Sequence, residues 1–243
     1  MLLQRLGRRS TLSRAVTPDA LVIGSGLVVG APRSGKTMRV LVPLARAALM
    51  RGISVDYLDW MGRMWERGAG PALADVVADM NSAGWVHVHE PGRAFTATEL
   101  PGGAVLRFRG ADRGLEEHYP TGSPVDRPTL CIVDTSDAPQ ASMGDLALAY
   151  ASVSANAHVG MLSAVNTLNV LKRRADGDAR AILGRSATTV FLYNSHRDDP
   201  DLLAAAGGID PETTAALPVG QALVTTDGRR TQRLHAPLFA ATA

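Results

Sequence analysis

The chain has 243 residues, 46% of them hydrophobic and 20% charged, which excludes global disorder and suits one large α/β domain or a domain with a sizeable insertion. A formal charge of +2 is too small to argue for nucleic acid by itself, and the single cysteine, Cys131, excludes an internal disulfide and fits a reducing cytoplasm. No apolar stretch reaches the length of a membrane span and the Met1 start lacks the apolar core of a signal peptide, so the sequence predicts a soluble cytoplasmic protein.

Residues 1–18 read as a basic N-terminal arm, with Arg5, Arg8, Arg9 and Arg14 and no acidic partner among them up to residue 16. Such an arm is either a floppy terminus or a contact for DNA or an acidic membrane. Residues 19–243 form the expected main domain. The run from Ala20 to Val29 predicts a β-hairpin, two short apolar strands turning at Gly24-Ser25-Gly26. A helix is expected from Met38 to Met50, with Val40, Leu41, Leu44, Ala47 and Ala48 in one apolar stripe. Ile53 to Trp60 reads as a strand, and Pro71 to Met80 as a helix with proline in its first turn. Residues 84–127 form an irregular insertion, with short strands at 85–89 and 104–108 and a charged loop from Gly110 to Arg127.

Thr129 to Asp134 (T-L-C-I-V-D) is a continuous apolar strand closing on an acid. A helix from about Met143 to Ala157, a strand from His158 to Val165 ending at Asn166, a helix from Asp176 to Arg185 and a strand from Thr188 to Tyr193 follow. Gly220 to Thr226 and Thr231 to Leu238 predict a closing hairpin around Asp227-Gly228. Near-continuous apolar strands alternating with helices indicate an α/β fold whose mainly parallel sheet is buried on both faces. Ligand chemistry in such sheets collects at the carboxyl ends of the strands, where Asp59, Asp134 and Asn166 would converge.

The most specific feature is Gly30 to Thr37, G-A-P-R-S-G-K-T, a complete match to the phosphate-loop pattern G-x-x-x-x-G-K-[ST]. Its glycines let the backbone curl so that consecutive N–H groups face phosphate oxygens, and the next helix, from Met38, adds its positive end. Gly30, Ala31, Pro32, Arg33, Ser34, Gly35, Lys36, Thr37 and Met38 are therefore the expected nucleotide-binding residues. Lys36 reaches the β and γ phosphates, and Thr37 and Asp134 are the expected Mg²⁺ residues. The chain has only two lysines, Lys36 and Lys172, among 25 basic residues, so a lysine falling here by drift is improbable. No N-K-x-D guanine-reading motif is present, which favours ATP over GTP.

Thr135 follows Asp134 where many such ATPases carry the glutamate that polarises water; Asp137, three positions beyond Asp134, is the candidate replacement. Asn166 is the candidate γ-phosphate sensor, with a strand-to-helix cap as its alternative. Arg173, Arg174, Arg180 and Arg185 are candidate arginines for the neighbouring subunit's site, or solvated helix charges. His87 and His89 lie two apart and so share a strand face, with Glu90 adjacent, but no third ligand is placed by spacing, so a structural or surface role is expected.

On these residues the chain resembles the FtsK/HerA-type DNA-pumping ATPases, including conjugative coupling proteins. The likeness rests on the hairpin leading into the phosphate loop, the strand ending Leu58-Asp59, L-C-I-V-D at 130–134 and the strand ending in Asn166. It includes the closing run from Thr188 through Asp198-Asp199-Pro200-Asp201-Leu202-Leu203 to Leu217-Pro218-Val219-Gly220-Gln221-Ala222-Leu223. The resemblance implies a RecA-like core assembled as a homo-oligomeric ring, a hexamer, with ATP at subunit interfaces and DNA through the centre. It also implies a DNA-processing or membrane-channel partner. Two rival readings stay open: a nucleotide-binding structural or regulatory subunit with little hydrolysis, favoured by Thr135, and a small-molecule kinase with the Gly110 to Arg127 loop as lid.

Overall fold

The computed structural model describes residues 12–59, 69–80, 96–99, 103–110, 127–134, 146, 150–151, 158–172, 176–194, 198–227 and 230–236. Two short helices, α1 (Leu12–Ala15) and α2 (Pro18–Gly24), lead into β1 (Gly26–Val29). A π-helical stretch, Lys36–Leu41, continues as α3 (Val42–Leu49). Then come β2 (Ser54–Asp59), α4 (Ala69–Met80), β3 (Thr96–Glu99), β4 (Val105–Gly110), β5 (Thr129–Asp134) and β6 (Val159–Val165). The chain closes with α5 (Asn169–Lys172), α6 (Asp176–Arg185), β7 (Thr188–Phe191), α7 (Pro200–Ala205), α8 (Pro211–Ala215), β8 (Gln221–Thr226) and β9 (Arg230–His235).

The nine strands among the described residues form one sheet in the order β3-β4-β2-β5-β6-β1-β7-β8-β9. The six central strands, β4 to β7 in that order, are parallel, and antiparallel strands flank them: β3 at one edge, the β8–β9 hairpin at the other. The order jumps from β6 back to β1, so the carboxyl ends of β5, β6 and β1 lie side by side. This is the α/β, mainly parallel sheet that the apolar strands predict, and it agrees with the RecA-like core that the resemblance implies. Successive residues of one strand face opposite cores. Val28 belongs to one core with Leu41, Leu44, Leu73 and Phe108, while Leu27 and Val29 belong to the other with Tyr150, Leu168, Ile182 and Leu203. A strand buried on both faces carries no polar alternation, which is why β1, β5 and β6 read as unbroken apolar runs.

One sequence expectation is overturned. Residues 18–24 are not the first strand of a hairpin but α2, and only β1 enters the sheet. The deciding signals are those of a helix start: Thr17 Oγ1 accepts a hydrogen bond from the Ala20 N–H at 3.4 Å, Pro18 opens the first turn, and Asp19 lies within it. A short apolar run does not by itself separate a buried strand from a buried helix turn. Within α2, Leu21 and Val22 are buried while Ile23 is exposed. The folded core also takes in Leu12 and Val16, inside the stretch read as an arm. β3, α1, α5 and α8 were not foreseen. The strand expected at 85–89 lies outside the described residues.

Candidate nucleotide site

The phosphate loop begins where β1 ends. Its entry is anchored to the strands on both sides: the Gly30 N–H donates to Val165 O at 3.1 Å and the Ala31 N–H to Tyr193 O at 2.9 Å. Gly30 has no room for a side chain, because a Cβ there would meet Ser34 Oγ at 2.6 Å. Gly35, at φ 97°, turns the chain into the π-helical stretch. Arg33, at φ 63°, shares that left-handed region, a conformation costing a residue with a side chain about 1–2 kcal/mol.

Lys36 is 4% exposed and its ammonium lies under the loop. It donates to Gly30 O at 2.6 Å, Ala31 O at 3.1 Å and Asn166 Oδ1 at 2.8 Å. Thr37 Oγ1 donates to Asp134 Oδ2 at 2.6 Å. The structure thus brings Lys36, Thr37, Asp134 and Asn166 together from three separate stretches of chain. Asn166 holds the lysine, which joins the end of β6 to the cation that the loop presents.

Tyr57 was missed by sequence reasoning. Its hydroxyl donates to the same carboxylate oxygen, Asp134 Oδ2, at 3.3 Å, and its fully buried ring stacks on Phe108 with centroids 5.6 Å apart. A tyrosine two residues before the end of an apolar strand carries no motif; only the parallel register of β2 with β5, which sets Tyr57 opposite Ile132 and Asp59 opposite Asp134, puts its hydroxyl at the acid.

Other candidates stand apart. Arg180 and Arg185 are exposed on α6, and Arg185 donates to Ala181 O of its own helix at 3.4 Å. Met38 is partly buried and packs on the core. Asp137, Arg173, Arg174, Thr135, His87, His89 and Glu90 lie outside the described residues.

The residues present fit a nucleotide with its magnesium. Ser34 Oγ is buried inside the loop with no hydrogen-bond partner, an orphaned hydroxyl of the kind a phosphate oxygen satisfies. Thr37 and Asp134 offer hard oxygens, and no group of three or more His, Cys, Asp or Glu able to hold a metal occurs among the described residues. One or two protein oxygens completed by phosphates and water is the pattern magnesium takes, rather than an all-protein cage. An open cavity of about 1110 Å³ lies elsewhere, lined by Asp198, Asp199, Asp210 and Glu212 among others. Its carboxylates repel phosphate, so size does not make it the nucleotide site.

No family model matches the chain, and no curated protein matches it in sequence. Solved structures do. The chain is similar to the bacterial conjugative coupling protein TrwB in its unbound form, with a TM-score of 0.58 and 13% identity over 96% of this chain and 89% of that one. TrwB in complex with the non-hydrolysable GTP analogue GDPNP gives 0.57 and 14%, over 90% and 86%. The genome packaging NTPase B204 from Sulfolobus turreted icosahedral virus 2, in complex with sulfate, gives 0.52 and 11%, over 88% and 96%. The fold is the one shared by this conjugative coupling protein and this genome packaging NTPase. At these identities the likeness is one of fold, and it spans nearly the whole of both chains. Among the described residues, no helix is long and apolar enough to cross a membrane.

Proposed function

We propose that the protein is a magnesium-dependent ATPase that works as an oligomer on DNA, in transfer, packaging or segregation. The observation that carries this reading is the constellation at the carboxyl end of the sheet: the G-A-P-R-S-G-K-T loop, Lys36 beneath it, and the Thr37–Asp134 pair 2.6 Å apart. The fold shared with a conjugative coupling protein and a genome packaging NTPase supports the DNA part.

Lys36 offers its ammonium to the β and γ phosphates in place of the two loop carbonyls, while Asn166 keeps it oriented. The first N–H groups of the Lys36–Leu41 stretch serve as anion donors, because the opening N–H groups of a helix find no intrahelical acceptor. Thr37 and Asp134 would hold magnesium, which would supply charge neutralisation at the phosphates. Tyr57 fixes the Asp134 carboxylate from below. Asp137 positions the attacking water, and Arg173 or Arg174 of a neighbouring subunit completes the site. The basic arm and residues 84–127 then supply contacts to DNA or to other subunits.

A second reading has one specific feature behind it. Thr135, directly after Asp134, cannot act as a base near neutral pH, so the chain would retain ATP without turning it over and serve as a nucleotide-gated building block. Hydrolysis of ATP by purified protein, with and without double-stranded DNA and with Lys36→Ala as the blank, separates the two. DNA-stimulated turnover lost in the variant supports the motor. Tight ATP binding with no turnover supports the building block, and absence of ATP binding by the wild type removes both.

A further inference from the structure

Three residues other than glycine adopt a left-handed backbone among those described: Ser25, Arg33 and Asp227. Two are explained locally. Ser25 ends α2, donating its N–H to Leu21 O at 2.8 Å and accepting the Met161 N–H on its hydroxyl at 3.0 Å. Asp227 makes the turn between β8 and β9, with its N–H on Ala187 O. Arg33 has no such account. It sits in the middle of the phosphate loop, where glycine would adopt the same backbone without strain, and its guanidinium is exposed with no hydrogen bond or ion pair among the described residues.

The other charges near the loop are committed. Lys36 lies below it on three oxygens and is offset by the buried carboxylate of Asp134. Arg39 points away, donating to Ala236 O at 2.8 Å and packing over Gly35. Among the described residues, the outer side of the loop therefore carries one uncommitted cation, Arg33, on a backbone that glycine would adopt without strain.

We infer that the Arg33 guanidinium is a second cationic contact for the phosphates of the bound nucleotide, supplied in cis from the loop itself. The loop's main chain and Lys36 grip the phosphates from inside, and Arg33 closes over them from the solvent side with a forked donor set suited to phosphate oxygens. This inference rests on the nucleotide-binding reading, to which it adds a side chain where the pattern uses only a backbone amide.

The test measures binding of Mg-ATP, inorganic tripolyphosphate and AMP to wild type, Arg33→Gly, Arg33→Gln, Arg33→Lys and Lys36→Ala, with a Tm for each free protein. Arg33→Gly and Arg33→Gln are expected to weaken ATP and tripolyphosphate by about tenfold, with AMP unchanged. Arg33→Lys recovers part of the loss, and the Tm of Arg33→Gly is equal to or above that of wild type. Glycine relaxes the backbone and glutamine keeps its strain, so equal losses in both assign the effect to the charge. ATP affinity within about twofold of wild type in Arg33→Gln overturns the inference while leaving the phosphate loop intact. Equal weakening of AMP, or a loss of affinity tracking a lowered Tm, overturns it as well. Should the wild type bind neither ATP nor tripolyphosphate, and Lys36→Ala change nothing, the nucleotide reading falls and the role of Arg33 falls with it.

Discussion

Replacing Gly160 by alanine tests whether α2 lies flat on the sheet. Gly160 opens β6 beneath α2, and a methyl there would stand 1.9 Å from Leu21 O, 2.4 Å from Val22 Cα and 2.6 Å from Leu21 C. All three are main-chain atoms, so no rotamer change relieves the clash. Ordinary contact needs roughly 3.5 Å, so α2 must retreat by on the order of 1.5 Å. Overpacking a core typically costs about 1–3 kcal/mol, and the retreat also loosens Leu21 and Val22, which places Gly160→Ala near about 3 kcal/mol. For a chain of this size that lowers Tm by about 6–12 °C. Gly184→Ala is the matched control. It lies in α6, a Cβ there meets nothing within 4 Å, and alanine is expected to stabilise by about 0.5–1 kcal/mol. Urea denaturation followed by circular dichroism measures both. The two substitutions should have opposite signs. A Gly160→Ala protein within about 0.5 kcal/mol of wild type would refute the packing of α2 on β6 and return residues 18–24 to the rejected hairpin.

Two further outcomes follow from the site. Tyr57→Phe keeps the stack on Phe108 but removes a donor to Asp134, and should cost about 1 kcal/mol of stability and weaken ATP binding in magnesium more than in EDTA; equal weakening in both would separate Tyr57 from the metal-side acid. Asp198 is 3% exposed and burial, the largest cause, raises its pKa above 3.8 despite hydrogen bonds from Leu168 N–H and the Asn194 amide. Ionising it therefore destabilises the fold: the cost begins as pH rises past 3.8 and is complete above the raised folded value. The stability of wild type relative to Asp198→Asn should fall with rising pH through that window and then level off, and a difference independent of pH would sink the assignment.

The phosphate loop was fully legible in the sequence because its chemistry is local: the backbone turn, the cation and the hydroxyl all lie within Gly30 to Thr37. The buried strands were legible too. β5 begins and ends where its apolar run does, and the acid that closes it is the one that meets Thr37. Composition and periodicity carry that much because a strand buried on both faces has to be apolar throughout.

The α2 helix was not legible from its apolar run, since Leu21, Val22 and Ile23 suit a strand as well as a helix turn. Its start signals, Thr17-Pro18-Asp19, stood in the sequence, but the absence of a side chain at Gly160 is what lets the helix lie against β6. The contact of Tyr57 with Asp134, the grip of Asn166 on Lys36 and the exposure of Arg33 belong to the tertiary structure alone. The first two depend on a strand order that sets β5 and β6 between β2 and β1, an arrangement across long separations that no local pattern encodes. The sequence determined that a phosphate loop and a closing acid exist; the order of the strands decided which other side chains stand around them.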